Sequence, residues 1–455
     1  MHASQFVFAA VALAAAASVQ AQVITVGANV NVTKLTGSQE ETAIAIDRAN
    51  SSLIAISSNS QAGLVTRFST NAGSTWSASN SITTNGGYDS WMGADQYGNI
   101  FLSYQENQVT KIARSIDGGA TYGAVATIAG SGADHPESGV GPGFAAGTNS
   151  YYLRDSVGGQ SRVITATSSG LGVSTGYTVA TGQGAGNFGS TAVGPGGRTI
   201  FTTMSPEGSV GPTNMVLRYD ADGTGPGGYV VQNTITSNVG GFRPIPAQPS
   251  RTVDAQVALK YDFSGGAHNG DLYMLYTQAA NTTTNDTNIV FRRSSNNGAT
   301  FSSEVKLNTD SGTNSQFFGR LAVDQKTGWL ASVWYDARDS ADNTKVGLWG
   351  TVSIDGGLTW APNFKISAGL SDGRATNTGD GNEFGDYISL DFYDGKLVTA
   401  WADSSNSTGD NPNGTSGLDV YFAQVLVSAA IPEPSTYLLM ALGLVALRFK
   451  SRRGG

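Results

Sequence analysis

The chain has no cysteine among its 455 residues. That excludes disulfides, thiolate metal sites and a cysteine nucleophile. Histidine is nearly absent too, at 3 residues, and His135 and His268 lie too far apart for the ligand spacing of a zinc site. Charged residues make up only 13% and the net charge is −8. Such a surface is repelled by phosphate backbones, so nucleic acid is excluded as an expected partner. Long helical periodicity is missing from the body of the chain.

What is present is glycine, 60 residues of it, with abundant Ser, Thr and Asn. That composition goes with many tight turns and many short strands, which predicts an all-β body. The length corresponds to roughly two or three ordinary domains, unless internal repeats extend a single core.

The two ends read as addresses. Phe6 to Ala17 is an apolar, Ala-rich run, followed by Val19-Gln20-Ala21 as a small-residue cleavage site. This predicts a signal peptide over 1–21, although its first residues carry no Lys or Arg. Near the other end, Pro432-Glu433-Pro434 precedes an apolar stretch from Tyr437 to Leu447, and Arg448, Lys450, Arg452 and Arg453 follow. That order predicts a tail over 429–455 made of Pro-Glu-Pro, a short apolar helix and a basic end. It resembles the PEP-CTERM sorting signal. The resemblance implies export in a Gram-negative-type bacterium, recognition by the export machinery and an exosortase, and contact with the membrane through the tail. The alternative is an ordinary membrane anchor, for which the apolar stretch is short against the roughly 17–25 residues of a span.

Between the ends, 22–428 is repetitive. Four segments read Ser-x-Asp/Asn-x-Gly-x-Thr-aromatic: Ser69 to Trp76, Ser115 to Tyr122, Ser294 to Phe301 and Ser353 to Trp360. A degenerate fifth runs from Ser168 to Thr175. Asn71, Asp117, Asn296 and Asp355 are expected to cap the turn by accepting backbone N–H bonds, so their role is structural. The Gly supplies a positive φ, and the aromatic packs where the next strand begins. A second pattern, apolar-x-apolar-Asp followed by a glycine turn and a strand, recurs about seven times, starting at Ile44, Met92, Gly143, Thr191, Val257, Leu321 and Ile388. The last repeat stops one strand short, while an unpaired strand begins at Val23. The prediction is a single β-propeller of seven four-stranded blades, closed by the N-terminal strand, with six blades as the alternative.

Together these motifs resemble the sialidase-like Asp-box (BNR repeat) propeller superfamily. In that family, three arginines hold a substrate carboxylate, a Tyr–Glu pair supplies the nucleophile, and an Asp is the acid/base. The resemblance points to Arg243, Arg251 and Arg320, to Tyr387 with Glu383, and to Asp254. Fold does not dictate function, however. The family's arginine motif near the first blade is missing, and the loops entering the mouth also hold Glu40, Glu41, Asp89, His135, Glu137, Asn187, Gln316 and Asp386. An acidic mouth argues against an anionic sugar and for a neutral one, whose hydroxyls donate to carboxylates. The leading reading is therefore an exported cell-surface or matrix propeller that binds glycan or exopolysaccharide and leans away from being an enzyme. The alternative is an exo-α-sialidase-like hydrolase, and paired carboxylates among Glu383, Asp386 and Asp254 would also suit a neutral glycoside. No cofactor is required. Calcium is a candidate at oxygen-rich loops carrying Asp380 and Asp386. Tyr335, Asp336, Arg338 and Asp403 are expected in contacts between blades.

Overall fold

The computed structural model describes residues 22–83, 86–223, 228–375 and 383–429. The predicted signal peptide, Asp380 and the Pro432-Glu433-Pro434 tail lie outside them. By its contacts the chain divides into residues 25–426, which hold the propeller, and the two chain ends, 1–24 with 427–455. Of the ends, residues 22–24 and 427–429 are described, as the tips of two strands.

Seven antiparallel sheets follow one another along the chain, and each runs from an innermost strand outward. The innermost strands are Gln39–Ile46, Gly87–Ala94, Ala133–Pro142, Thr191–Val193, Ala258–Tyr261, Gln316–Asp324 and Ser389–Tyr393. They define the first to seventh blades of a seven-bladed β-propeller. Each blade packs both faces against its neighbours, so its second strand buries nearly every position rather than alternate ones. Trp329–Asp336 is an example, buried at all but its first residue. Trp334 and Trp401 lie at the heart of the sixth and seventh blades, fully buried. Their indole N–H groups donate to Asp336 at 2.8 Å and Asp403 at 2.9 Å, which explains the repeated Trp-x-Asp.

The last sheet takes its outer strand from the start of the chain. Asp419–Ala429 is flanked by Lys396–Asp403 on one side and by N-terminal strands on the other. Gly27 N donates to Gln424 O at 2.8 Å, Val30 pairs with Phe422, and Val32 N donates to Val420 O at 2.7 Å. The Asn31 amide adds a 2.6 Å bond to the buried Asp419 carboxylate. Seven blades and closure by the N-terminal strand agree with the sequence pattern.

The four repeat turns share one geometry. In each, the Ser hydroxyl accepts the N–H of the Gly four residues on, at 2.8–2.9 Å: Gly73, Gly119, Gly298 and Gly357. The Asn or Asp accepts the N–H of the Thr four residues on, at 2.9 Å in all four: Thr75, Thr121, Thr300 and Thr359. The aromatic then reaches the preceding blade. Trp76 packs edge-on against Phe422 with ring centroids 5.0 Å apart, and Trp360 does the same to Phe291 at 5.0 Å. The degenerate segment departs from this, since Ser168 donates to Asp95 of the second blade at 2.5 Å.

The turn glycines are needed for space as well as for φ. A Cβ at Gly357 (φ +80°) would sit 2.5 Å from the Phe291 ring. At Gly409 (φ +77°) it would meet nothing within 4 Å. Both Gly→Ala changes carry the left-handed penalty of about 1–2 kcal/mol, but only Gly357→Ala adds overpacking of about 1–3 kcal/mol. Thermal unfolding of the two variants should therefore show a clearly larger drop in Tm for Gly357→Ala. Equal drops would mean that the turn does not press on the preceding blade.

Candidate functional site

Each blade begins its inner strand with a residue in the left-handed region. They are Glu41 (φ 53°), Asp89 (53°), His135 (48°), Phe188 (42°), Gln256 (42°), Phe318 (53°) and Gly385 (72°). Strand pairing slips by a bulge next to Glu41, Asp89, His135 and Phe318. A bulge re-aims a side chain out of the sheet, and here it turns several of these residues toward one mouth of the ring. Strain of this kind persists only where the surroundings over-determine it. The sequence carries a marker for the position. In five blades it lies six residues before an Asp: Asp47, Asp95, Asp262, Asp324 or Asp391.

The mouth opens into a cavity of about 420 Å³. Its lining holds the carboxyl groups of Glu41, Asp89, Asp134, Asp254 and Asp386, with Arg251 among them, interleaved with the rings of His135, Phe188, Phe242 and Phe318. His135 and Phe188 meet edge to face at 4.6 Å between centroids, and Phe188 meets Phe242 at 5.7 Å. Asn and Gln side chains from the second shell hold the acids in place. Gln105 donates to Asp89 at 2.9 Å, Asn187 to Asp134 at 2.5 Å, and Asn59 to Glu41.

The single arginine of this lining is already bound. Arg251 Nε donates to Asp386 at 2.8 Å, its Nη2 donates to the second oxygen, and Glu41 lies 3.7 Å away. Burial and the neighbouring Asp386 push the Glu41 carboxyl up to about 7, against the pull of Arg251. Burial, with the Asp386 charge, likewise raises Asp254 to about 7. Burial and the adjacent Glu41 charge raise Asp89 well above the ordinary range. Asp254 Oδ1 is buried without a hydrogen-bond partner. The cup thus holds carboxyls that burial makes reluctant to ionise, beside the arginine-bound Asp386.

Arg251 stands on a hairpin inserted between the fourth and fifth blades, Arg243–Ile245 paired with Gln248–Val253. The hairpin reaches the loop that enters the seventh blade. Gln248 donates to Gly385 O at 2.8 Å, while Ser250 N and Arg251 N donate to Glu383 at 3.1 Å and 3.2 Å. On its other side Gly385 makes room for Glu41 of the first blade, which a Cβ there would meet at 2.4 Å.

The family-derived set does not converge. Arg243 is buried, and its guanidinium bonds the backbone carbonyls of Asn238, Asn281 and Thr284. It anchors the hairpin and has no part in the cup. Arg320 and Tyr387 lie one layer below the mouth, because they sit two residues beyond the bulge. The Arg320 guanidinium stacks over Trp91 at 4.4 Å and Tyr387 at 5.3 Å, and its Nε donates to Ile388 O at 2.7 Å. Tyr387 is fully buried against Trp91. Glu383 binds the hairpin backbone. Of the residues singled out in sequence, Glu41, Asp89, His135, Arg251, Asp254 and Asp386 reach the cup. Asp386 is committed to Arg251, which leaves it poorly placed for calcium. No cluster of three or more His, Asp or Glu able to hold a metal exists among the described residues. Gln316 is buried and donates to Asp336 at 3.2 Å, and Tyr335 bonds Ala402 O of the next blade at 2.7 Å.

Residues 430–453 match the family model for the PEP-CTERM protein-sorting motif. The chain carries an export-sorting signal. The PEP-CTERM match implies processing by an exosortase and sorting to the membrane. Among the described residues no helix is long and apolar enough to cross a membrane. A search of curated protein sequences returned no match. Solved structures with related backbones include a protein of unknown function from Dyadobacter fermentans, with 11% identity and a TM-score of 0.49, covering 89% of this chain and 99% of that one. The GH93 α-L-arabinofuranosidase of Fusarium graminearum gives 12%, 0.43, 69% and 93% in the same order. Trypanosoma rangeli sialidase gives 10%, 0.37, 86% and 55%. At these identities the likenesses assign no activity to this chain.

The buried acids make stability depend on pH. Asp254 titrates near 7 when folded, against an ordinary 3.8. The folded state therefore holds a proton that the unfolded state has lost, and stability falls as pH rises from about 4 to about 7. Asp254→Asn removes that loss. Calorimetry of the full-length protein should show the variant's Tm close to wild type near pH 4 and above it at pH 8, by the equivalent of about 4 kcal/mol at most. A variant less stable than wild type at pH 8 would mean that the carboxylate is ionised and paired.

Proposed function

We propose that this exported propeller recognises a neutral extracellular glycan in its mouth cup, at the cell surface or in the surrounding matrix. One observation carries the reading. Five carboxyl groups and several aromatic rings line one cup, and its one arginine is held by Asp386. Carboxylates and amides accept bonds from sugar hydroxyls, and aromatic rings stack on the apolar faces of sugars. A sialic acid carboxylate would need a free cation that the cup does not offer. A signal peptide over 1–21 and removal of the tail near Pro432-Glu433-Pro434 complete the export route in this reading.

A second reading is favoured by Asp254. A half-buried carboxyl that titrates near 7, unbonded at one oxygen and beside the arginine-bound Asp386, has the split of protonation states that glycoside hydrolysis uses for its acid and its base.

Both readings are tested on the full-length protein with an array of neutral and acidic polysaccharides and a panel of fluorogenic glycosides that includes a sialoside. Retention on a neutral glycan, lost in Phe242→Ala and in Glu41→Gln, is expected. Turnover of a neutral glycoside that falls by about 10²–10⁴-fold in Asp254→Asn would make the cup a hydrolase site. Sialoside turnover abolished by Arg251→Ala would overturn the neutral-sugar reading.

A further inference from the structure

Below the layer of Trp91, Arg320 and Tyr387, the ring axis widens into a second cavity of about 540 Å³. All seven inner strands contribute to it, and no residue lines both this cavity and the cup. The level at which it opens lies four residues beyond the left-handed position of each blade. Six of the seven residues there are small: Ala45, Gly93, Gly139, Ala192, Ala322 and Ser389. Two are small because the blades approach closely, since a Cβ on Gly93 would meet Val140 at 2.8 Å and one on Gly139 would meet Thr191 O at 3.1 Å. The seventh residue is Lys260, which lines the cavity.

The Lys260 ammonium makes no hydrogen bond or ion pair among the described residues, although Glu137 and Asp391 lie within electrostatic reach. Both carboxylates are engaged elsewhere. Glu137 accepts the Ser190 hydroxyl at 2.8 Å. Asp391 accepts Arg48 Nη2 at 2.6 Å, Phe392 N at 2.8 Å and Ile46 N at 2.8 Å. Arg48 also lines this cavity, with its guanidinium over the Tyr393 ring at 4.8 Å and its Nη1 buried without a partner. Arg320 adds a third cation above, and burial lowers the affinity of Lys260 for its proton. Among the lining residues two cations, Lys260 and Arg48, stand against one carboxylate, Asp391, with Glu137 nearby. A buried ammonium with no direct ion pair costs free energy, which a bound anion recovers. A purely structural position would be served by another small residue.

We propose that this lower axial cavity is an oxyanion site, taking a small carboxylate- or phosphate-bearing ligand against Lys260, with Arg48 at its side. It stands independently of the glycan reading of the cup. The test is thermal unfolding and calorimetric titration of the full-length protein at pH 7 with sodium acetate, sodium glucuronate and sodium phosphate, each against sodium chloride of equal ionic strength. A saturable rise in Tm is expected with at least one oxyanion, and the choice between carboxylate and phosphate names the ligand class. Affinity should fall by at least roughly tenfold in Lys260→Met and persist in Lys260→Arg. In chloride alone, Lys260→Met should unfold at or above the wild-type temperature, because the unpaired charge is gone. No saturable rise with any of the three anions, or an equal rise in Lys260→Met, would overturn the proposal. So would a Lys260→Met protein that is less stable in chloride, since that assigns the lysine to the framework.

Discussion

A radial arrangement of sheets has to be closed, and the rest of this molecule depends on that closure. Each blade buries both faces against its neighbours, so an open ring would expose two apolar faces and a row of unpaired backbone groups. The seventh sheet closes it by taking residues near the start of the chain, through backbone bonds at Gly27, Val30 and Val32 and the Asn31–Asp419 bond. With the ring shut, the seven inner strands converge on one axis and the loops that enter them converge on one mouth. The cup, its aromatic lining and the lower cavity are consequences of that convergence, and no single blade contains any of them.

Along the axis the chemistry changes in layers set by the bulges. The left-handed position aims at the mouth, and there it brings Glu41 and Asp89 against His135, Phe188 and Phe318. Two residues further in, Trp91, Arg320 and Tyr387 stack across the channel. Two further still, small residues leave room around Lys260. One backbone irregularity, repeated seven times, thus sorts acidic, aromatic and basic side chains into separate levels.

What was legible in the sequence was what is local. Ser69, Asn71, Gly73 and Thr75 satisfy one another within a single turn, so their spacing survives as a motif, and the same holds at Ser353 to Trp360. The Trp-x-Asp of the sixth and seventh blades is local for the same reason. What was not legible depends on long-range placement. Arg243 has the look of a ligand-binding arginine, yet it is taken up by three carbonyls brought to it by the inserted hairpin. Tyr387 and Arg320 belong to the right strands but to the wrong layer, because each stands two residues beyond the left-handed position that aims at the mouth. Asp134, Phe188, Phe242 and Phe318 are absent from the set drawn from the sequence. The position six residues before an Asp would have found Phe318, but not Phe188 or His135, whose blades have Gly at the corresponding sites, Gly194 and Gly141.

The borrowed strand also joins the two ends of the propeller. Residues 25–33 precede all seven innermost strands in the chain, and the strand they complete, Asp419–Ala429, follows them. Without that pairing the seventh sheet keeps an exposed edge. The strand that locks the ring runs directly into residues 430–453, the sorting motif. The pairing that completes the ring thus lies directly before the sorting motif in the chain, so closure of the fold and its address share one short stretch of sequence.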